Sequence, residues 1–471
     1  MPLIRVLMFM LALACASVGT TCGAASPTPT VNEQELRKML VERVDAQKWA
    51  TGVVVGVLSP HGRHVVAYGT MGLNDKRAVN GDTVFEIASL TKIFTALLLA
   101  DMAREGKVNV NAPVSTCLPA TVKVPQHNDR QITFVDLATH TSGLPLRPTN
   151  LASQLGLNKY AGYTREQLYQ GLADFTLTRD AGSKFEYSNW GFGLLANALA
   201  YCAGESYEAL LRDRVTQPLG MEDTRLDPTP SMRARLAAGY DSNLKPVPNE
   251  GVGALGGAGG LYSTINDLLK FVALFLGQGP PSLAASPVTM LEPRRPGDDP
   301  HTQMALGWRV STGNGKQSVW SAGRADGYRS YMAFDPQAQI AVVALANAAT
   351  NGGVDDIGRY VLDPTVQVAK SHKWITVAAP VLDRYLGRYR FDDDGTFLTV
   401  TRNGTQLIVE MSGQGLLEVF PTGVREFFPK DIEAQFLFAD PGKSTSASVV
   451  LSQDGQSYLG KRVADAPQEK P

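Results

Sequence analysis

The chain is short of the residues that build several common kinds of functional protein. It has four cysteines in 471 residues, too few for a disulfide-dense scaffold or a multi-cysteine zinc module. Its six histidines are scattered and form no His-Glu-x-x-His pair, so a dedicated metal enzyme is not expected and no cofactor is implied. Neither sign of charge is in excess. The 44 basic and 45 acidic residues leave a net charge of −1, which gives no reason to expect nucleic acid as a partner. No apolar run reaches the roughly 18 residues that a membrane-spanning helix needs. A Gly-x-Ser-x-Gly string is absent, which argues against an α/β-hydrolase. Core material is plentiful: 44% of residues are hydrophobic and 19% charged. The length suits one large domain with a smaller companion.

The N-terminus reads as a secretory signal. Arg5 precedes a mostly apolar stretch from Val6 to Val18, followed by Gly23, Ala24, Ala25 and Ser26, a pattern too short to span a bilayer. Cleavage is expected after Ala24 or Ala25, so residues 1–25 are the signal peptide and the mature protein is periplasmic or secreted. Removal of Cys15 and Cys22 leaves Cys117 and Cys202. In an oxidising compartment these two either pair or stay as buried thiols, and spacing alone does not choose.

Beyond a short Pro/Thr-rich linker, residues 35–48 look helical. Strands follow at 52–58 and 65–68, then a mostly helical block from Phe85 to about Leu226. A glycine-rich loop runs from Gly251 to Gly260. Thr264 with Asp267 resembles a capping box opening a helix to about Leu276. Strands resume at 307–310, 318–321, 328–334 and 340–345, and a helix follows at about 354–362. The order is strand pair, helical block, strand meander. It predicts an α+β fold, an antiparallel sheet flanked by helices with an inserted helical subdomain. Residues 26–365 form that domain and 366–380 a linker. In residues 381–471 helical periodicity vanishes, and Asn403-Gly404, Pro441-Gly442 and Asp454-Gly455 signal hairpins of a small antiparallel barrel or sandwich. Asp392-Asp393-Asp394-Gly395 lacks the later ligands of a calcium loop and reads as a solvated turn.

Three short strings carry chemistry. Ser89-Leu-Thr-Lys92 and Ser242-Asn-Leu-Lys245 share a Ser-x-x-Lys spacing, but only the first opens an apolar helix. There the i, i+3 geometry sets Lys92 beside the Ser89 hydroxyl, and burial favours a lysine that gives up its proton. Tyr187-Ser-Asn189 precedes the apolar helix from Trp190. A tyrosine beside a lysine can relay a proton, and the Asn189 amide can orient Lys92 or a substrate carbonyl. Ser321-Ala-Gly323-Arg324 ends a predicted strand. Gly323 would let a substrate backbone lie along its edge, and the Arg324 N–H would complete an oxyanion hole with that of Ser89. Arg324 and Arg329 are candidates for binding a substrate carboxylate. Two further strings are set aside. Gly251-Val-Gly-Ala-Leu-Gly256 follows Pro246 and Pro248 rather than a strand, against a dinucleotide site. Asp136 and His140 could serve a triad but read better as structural.

Together the strings resemble the serine β-lactamase and penicillin-binding family, in its class C and D-Ala-D-Ala carboxypeptidase branch, over about residues 35–365. The likeness rests on Phe85-Glu-Ile-Ala-Ser-Leu-Thr-Lys92, Leu137-Ala-Thr-His-Thr-Ser-Gly-Leu-Pro145, Pro218-Leu-Gly-Met-Glu-Asp-Thr224, Gly259-Gly-Leu-Tyr-Ser-Thr264 and Leu306-Gly-Trp308. It implies that Ser89 is the acylated nucleophile, that Lys92 and Tyr187 share the proton transfers, and that Asn189 positions Lys92 and substrate. It also implies small peptide, lactam or ester substrates, and the third string itself makes Ser321, Gly323, Arg324 and Arg329 the binding-side candidates. The C-terminal ninety residues resemble the lipocalin-like domain appended to some of these peptidases. One departure stands out: Ser321 occupies the place where the third motif usually starts with Lys or His. Without that cation, Tyr187 is expected to lean on Lys92 alone, with Lys92 as the main base.

Overall fold

This computed structural model describes residues 32–463 apart from 152–159, 250, 314–315, 351, 370–373, 392–395, 412–415, 430–433, 443 and 454–455. The signal segment, Cys15, Cys22 and Asp392-Asp393-Asp394 therefore lie outside the described residues. Among the described residues no helix is long and apolar enough to cross a membrane.

The apolar run Val53–Val57 becomes the second strand of an eight-stranded sheet. Its strand order is 62–69, 52–59, 340–346, 328–335, 316–325, 309–313, 302–304 and 295–296, and every pairing is antiparallel. The strand near the N-terminus pairs with the last one, Val55 opposite Ala344. Both faces of this sheet are covered, which explains why its central strands read as unbroken hydrophobic runs. Val53, Val55 and Val57 pack with Leu36, Leu40, Ile357 and Val361 of the helices Glu33–Val41 and Asp355–Leu362. Val54, Val343 and Leu345 face the larger core with helix Ile265–Ala273. Gly56 lies under that helix, where a Cβ would come 2.6 Å from Ile265 Cγ2.

Helix Thr91–Arg104 crosses the centre of the large core. The sequence marks one apolar face, but every residue from Thr91 to Met102 is buried. Its polar members are satisfied internally: Thr95 Oγ1 donates to Gly257 O at 2.7 Å, and Leu261 N donates to Thr91 Oγ1 at 3.1 Å. The glycine-rich segment supplies those partners. Gly256–Gly259 is a single helical turn pressed against helix Asn189–Ala203, so close that a Cβ on Gly257 would sit 2.2 Å from Ala196 Cβ. These glycines serve close packing rather than phosphate binding. At Thr264 only half of the expected capping box forms. Its hydroxyl accepts from Asp267 N, while the Asp267 carboxylate accepts from Asp223 N at 2.8 Å and Thr224 Oγ1 at 3.0 Å.

Cys117 and Cys202 form a disulfide with Cα atoms 5.0 Å apart. It ties the turn Val114–Cys117 to the C-terminal end of helix Asn189–Ala203.

The C-terminal region is a closed eight-stranded antiparallel barrel, from Gly387–Phe391 to Gln456–Val463, each strand paired with the next and the last closing on the first. Tyr385, Tyr389, Phe427 and Phe438 fill it. Its core also takes in Val377 and Leu382, and Trp374 packs on Phe420 and Phe428. Residues 374–380, expected as linker, therefore pack with the barrel.

Candidate active site

Three separate stretches of chain meet at Ser89. The first is the turn after strand Val84–Glu86. Ala88 takes a left-handed φ of 47°, an uncommon conformation for a residue with a Cβ. The chain there turns sharply through Ala88–Leu90 into the buried helix. Ser89 thus sits at the mouth of that helix, and Lys92 is one turn on. Lys92 Nζ donates to Ser89 Oγ at 3.0 Å, to Asn189 Oδ1 at 2.8 Å and to Ala258 O at 2.6 Å.

The second stretch is Tyr187–Asn189. Ser188 caps the following helix by accepting from Gly191 N at 2.8 Å. That frees Asn189 to face Lys92. Tyr187 OH donates to Ser89 Oγ at 2.8 Å. His140 braces this tyrosine: their ring centroids lie 4.3 Å apart, and His140 Nδ1 accepts the Ser188 N–H at 3.0 Å. Asp136 lies elsewhere in function, closing a capping box with Thr133. The possible His140–Asp136 triad therefore does not form.

The third stretch is strand Lys316–Ala325. Its pairing with strand Arg309–Gly313 stops at Trp320 opposite Arg309, short of Ser321–Ala325. Gly323 faces the nucleophile, where a Cβ would lie 2.9 Å from Ser89 N and 2.6 Å from Ile87 O. Only a glycine lets the strand pass this close. Strand alternation then puts the Arg324 side chain with Arg329, its cross-strand partner, on the opposite face from Gly323. Arg329 Nε donates to Thr350 O at 2.5 Å. The structure thus engages Arg329 at Thr350, while Arg324 lines the cleft beside Ser89. The expected carboxylate-binding pair is not assembled there.

Ser89, Asn189 and Arg324 line a cleft of about 360 Å³ with Leu146, Arg147 and Tyr160. A larger hollow of about 640 Å³, between Ser206 and Pro230, contains none of the predicted site residues. Ser242, the other Ser-x-x-Lys serine, lies in a turn between the short strands Gly239–Tyr240 and Pro246–Val247.

The electrostatics follow from burial. Lys92 is 2% exposed, and desolvation pulls its ammonium below the usual lysine range, Tyr187 opposing and Arg309 adding to the pull. Burial alone would raise the Tyr187 phenol. Lys92, the Ser89 hydroxyl and Arg309 outweigh it and hold the phenol below its ordinary value. Burial, then Lys92 and Arg309, push His140 well below the usual imidazole value, so it is neutral at pH 7.

Sequence reasoning missed Arg309. Its guanidinium carbon lies 5.8 Å from the Tyr187 ring centroid and 5.1 Å from that of Trp320. Nη2 donates to Asp298 Oδ2 at 2.9 Å and Nε at 3.1 Å. The one available signal was its place directly after Leu306-Gly-Trp308, but its proximity to Tyr187 depends on a strand pairing that spacing does not reveal. Arg147 was missed too, since it sits on a loop.

The beta-lactamase family profile matches residues 37–366. The chain belongs to this family. Its fold and the serine-type hydrolases among its relatives make it a serine hydrolase of that kind. It is 34% identical over 269 residues, 56% of this chain and 68% of the relative, to the D-alanyl-D-alanine-carboxypeptidase/endopeptidase AmpH of Escherichia coli. Penicillin-binding protein 4* of Bacillus subtilis is 26% identical over 435 residues, 85% of this chain and 92% of that one. Among solved structures, a beta-lactamase/D-alanine carboxypeptidase from Yersinia pestis superposes with a TM-score of 0.60 at 26% identity, covering 67% of this chain and 92% of that one. An octameric penicillin-binding protein homologue from Pyrococcus abyssi shares the fold over 92% of this chain and 100% of its own, with a TM-score of 0.65 at 20% identity. That coverage extends past the family domain into the barrel.

Proposed function

We propose that this beta-lactamase family member is an exported hydrolase that forms an acyl-enzyme on Ser89, with D-amino-acid cell-wall peptides as its leading substrate class. The observation that carries this reading is the convergence of Lys92 Nζ at 3.0 Å and Tyr187 OH at 2.8 Å on one serine oxygen. The relatives named for D-alanyl-D-alanine carboxypeptidase activity favour the substrate class, and the signal-like N-terminus favours the periplasm.

The hydrogen bonds also favour a division of labour different from the one expected from Ser321. Three acceptors surround Lys92 Nζ, matching the three protons of an ammonium. That leaves Tyr187, in its phenolate form, to take the Ser89 proton. Ser89 Oγ then attacks the carbonyl, and the oxyanion lies between the N–H groups of Ser89 and Arg324. Tyr187 returns its proton to the departing amine or alkoxide, leaving the acyl group on Ser89. A water reverses the sequence: Tyr187 accepts its proton, and the freed Ser89 oxygen takes that proton back.

Uncharged Ser321 favours a second possibility within the same chemistry, esters turned over better than amides, because an alkoxide leaving group needs less protonation. The test is a hydrolysis screen with D-Ala-D-Ala peptides, nitrocefin and short p-nitrophenyl esters, with intact-mass detection of the adduct. Ser89→Ala should abolish labelling by a fluorophosphonate and Ser242→Ala should leave it intact. Tyr187→Phe should lower kcat/KM by about 10²–10⁴. An adduct that forms but never turns over would make the protein a penicillin- or muropeptide-binding protein instead. Labelling that survives in Ser89→Ala would overturn the reading.

A further inference from the structure

We propose that Arg309, reaching Tyr187 from the neighbouring strand, supplies the positive field that the third motif lacks at Ser321. For its catalytic consequence this rests on the Ser89 reading above; for the state of Tyr187 it does not.

Ser321 is 5% exposed and uncharged. One residue earlier, Trp320 pairs directly with Arg309 across the strands. Arg309 thus stands one register position from Ser321 on the neighbouring strand. Its guanidinium is held from two sides, by Asp298 and by the Trp320 ring, and its side chain is only 15% exposed. A charge fixed in a poorly solvated place acts over a longer distance than one in water.

Every group around the tyrosine bears on the sign. Lys92 Nζ lies 4.8 Å from the Tyr187 ring centroid and Arg309 at 5.8 Å, both cationic. Neutral His140 covers the ring from the other element packed on it. Glu186, next in the chain, is engaged by Arg179. Asp298 stands behind Arg309 and partly offsets it. The two cations lie against the ring itself, while both carboxylates are held by arginines, so the balance favours the phenolate and Lys92 is not its sole support. Arg309 does not touch the Ser89 oxygen. It is a positioning residue that sets the charge state of Tyr187.

The test measures the titration of Tyr187 itself, as the ultraviolet difference spectrum between a parent and its Tyr187→Phe partner. Arg309→Gln should move that titration upward by about one pH unit. Asp298→Asn, which keeps an acceptor for the guanidinium, should move it downward. Arg309→Lys should stay near the parent, and Ser321→Lys should restore the parent value in the Arg309→Gln background. The acidic limb of kcat/KM on a neutral p-nitrophenyl ester should shift in the same directions with KM little changed. Such an ester carries no carboxylate, so a loss there cannot be lost anion binding. A Tyr187 titration that is unmoved by Arg309→Gln, in protein whose circular dichroism matches the parent, would overturn the proposal. So would an activity loss equal at every pH, or failure of Ser321→Lys to restore. If Ser89 proves not to be acylated while the titration shifts as stated, the hydrolase reading falls and the Arg309 assignment stands.

Discussion

In the C-terminal barrel each strand pairs with its neighbour in sequence, and only Gly387–Phe391 must find a distant partner, Gln456–Val463. The hydrolase sheet also pairs mostly sequence neighbours, but its one distant pairing joins Val55 to Ala344, with the whole helical block between them in the chain. The barrel can therefore be written one hairpin at a time. The hydrolase core closes only when both ends of its sequence are present. This difference explains where chemistry accumulates. A core built from distant segments can bring Ser89, Tyr187 and Gly323 to one point, whereas a meander places side by side mainly what is already adjacent.

The comparison can be broken most strongly at the disulfide. Residues 381–471 contain no cysteine, and the Cys117–Cys202 link closes an 85-residue separation in the hydrolase domain. Chain-entropy arguments put such a link at ~4–5 kcal/mol. Calorimetry of Cys117→Ser/Cys202→Ser should show the hydrolase transition falling steeply and the barrel transition unmoved. A common shift of both would mean that the two units unfold together.

Close packing gives the next contrast. Gly257→Val would drive a side chain into Ala196 and displace Ala258, whose carbonyl holds Lys92. It should cost about 1–3 kcal/mol and lower activity as well. Gly404→Ala in the barrel meets nothing within 4 Å but keeps a φ of 60°, so it should cost about 1 kcal/mol with activity intact. Denaturant titration beside the ester assay separates the two.

Protonation sharpens the comparison further. His140 has a depressed folded pKa because burial disfavours its cation, while the unfolded chain titrates near about 6.5. Its contribution is complete above that pH. It is lost as pH falls toward the folded value, by about 1.4 kcal/mol per pH unit. His140→Asn, a residue that tolerates the φ of 58° found there, should remove this slope. The barrel segment has no histidine and should lack the slope throughout. Equal slopes in wild type and variant would show that other groups govern it.

The smallest effect is expected from removing residues 374–471. Their core is a cluster of its own, distinct from those of the hydrolase domain. The truncated chain should fold and acylate at an unchanged rate. Loss of the circular dichroism signal of the hydrolase domain would show that the barrel supports it.

Much of the site was legible because its spacing is local. Ser89 and Lys92 share a helical turn, and Tyr187 and Asn189 open the next buried helix, so short strings place them. Gly323 was legible for a similar reason, as a small residue ending a strand. The engagement of Arg329 at Thr350 was not legible, because it follows from a register that long-range pairing sets. Arg309 was invisible on the same ground. The succession of strands and helices along the chain, the barrel and the helical insertion could be read from periodicity and turn residues. Residues 374–380 could not, because an apolar segment without period gives no sign of the core it joins.

By itself, then, the sequence determined which segments become helices, strands and hairpins, and which serine has a lysine one turn away. Backbone periodicity and i, i+3 geometry are local properties that a string of residues carries intact. Tertiary structure alone decided that the two cysteines pair, that His140 braces Tyr187, that Arg329 is engaged at Thr350 and that Arg309 reaches Tyr187. Each of these depends on the registry of segments far apart in the chain, and that registry is set by how whole faces bury together rather than by any residue's neighbours.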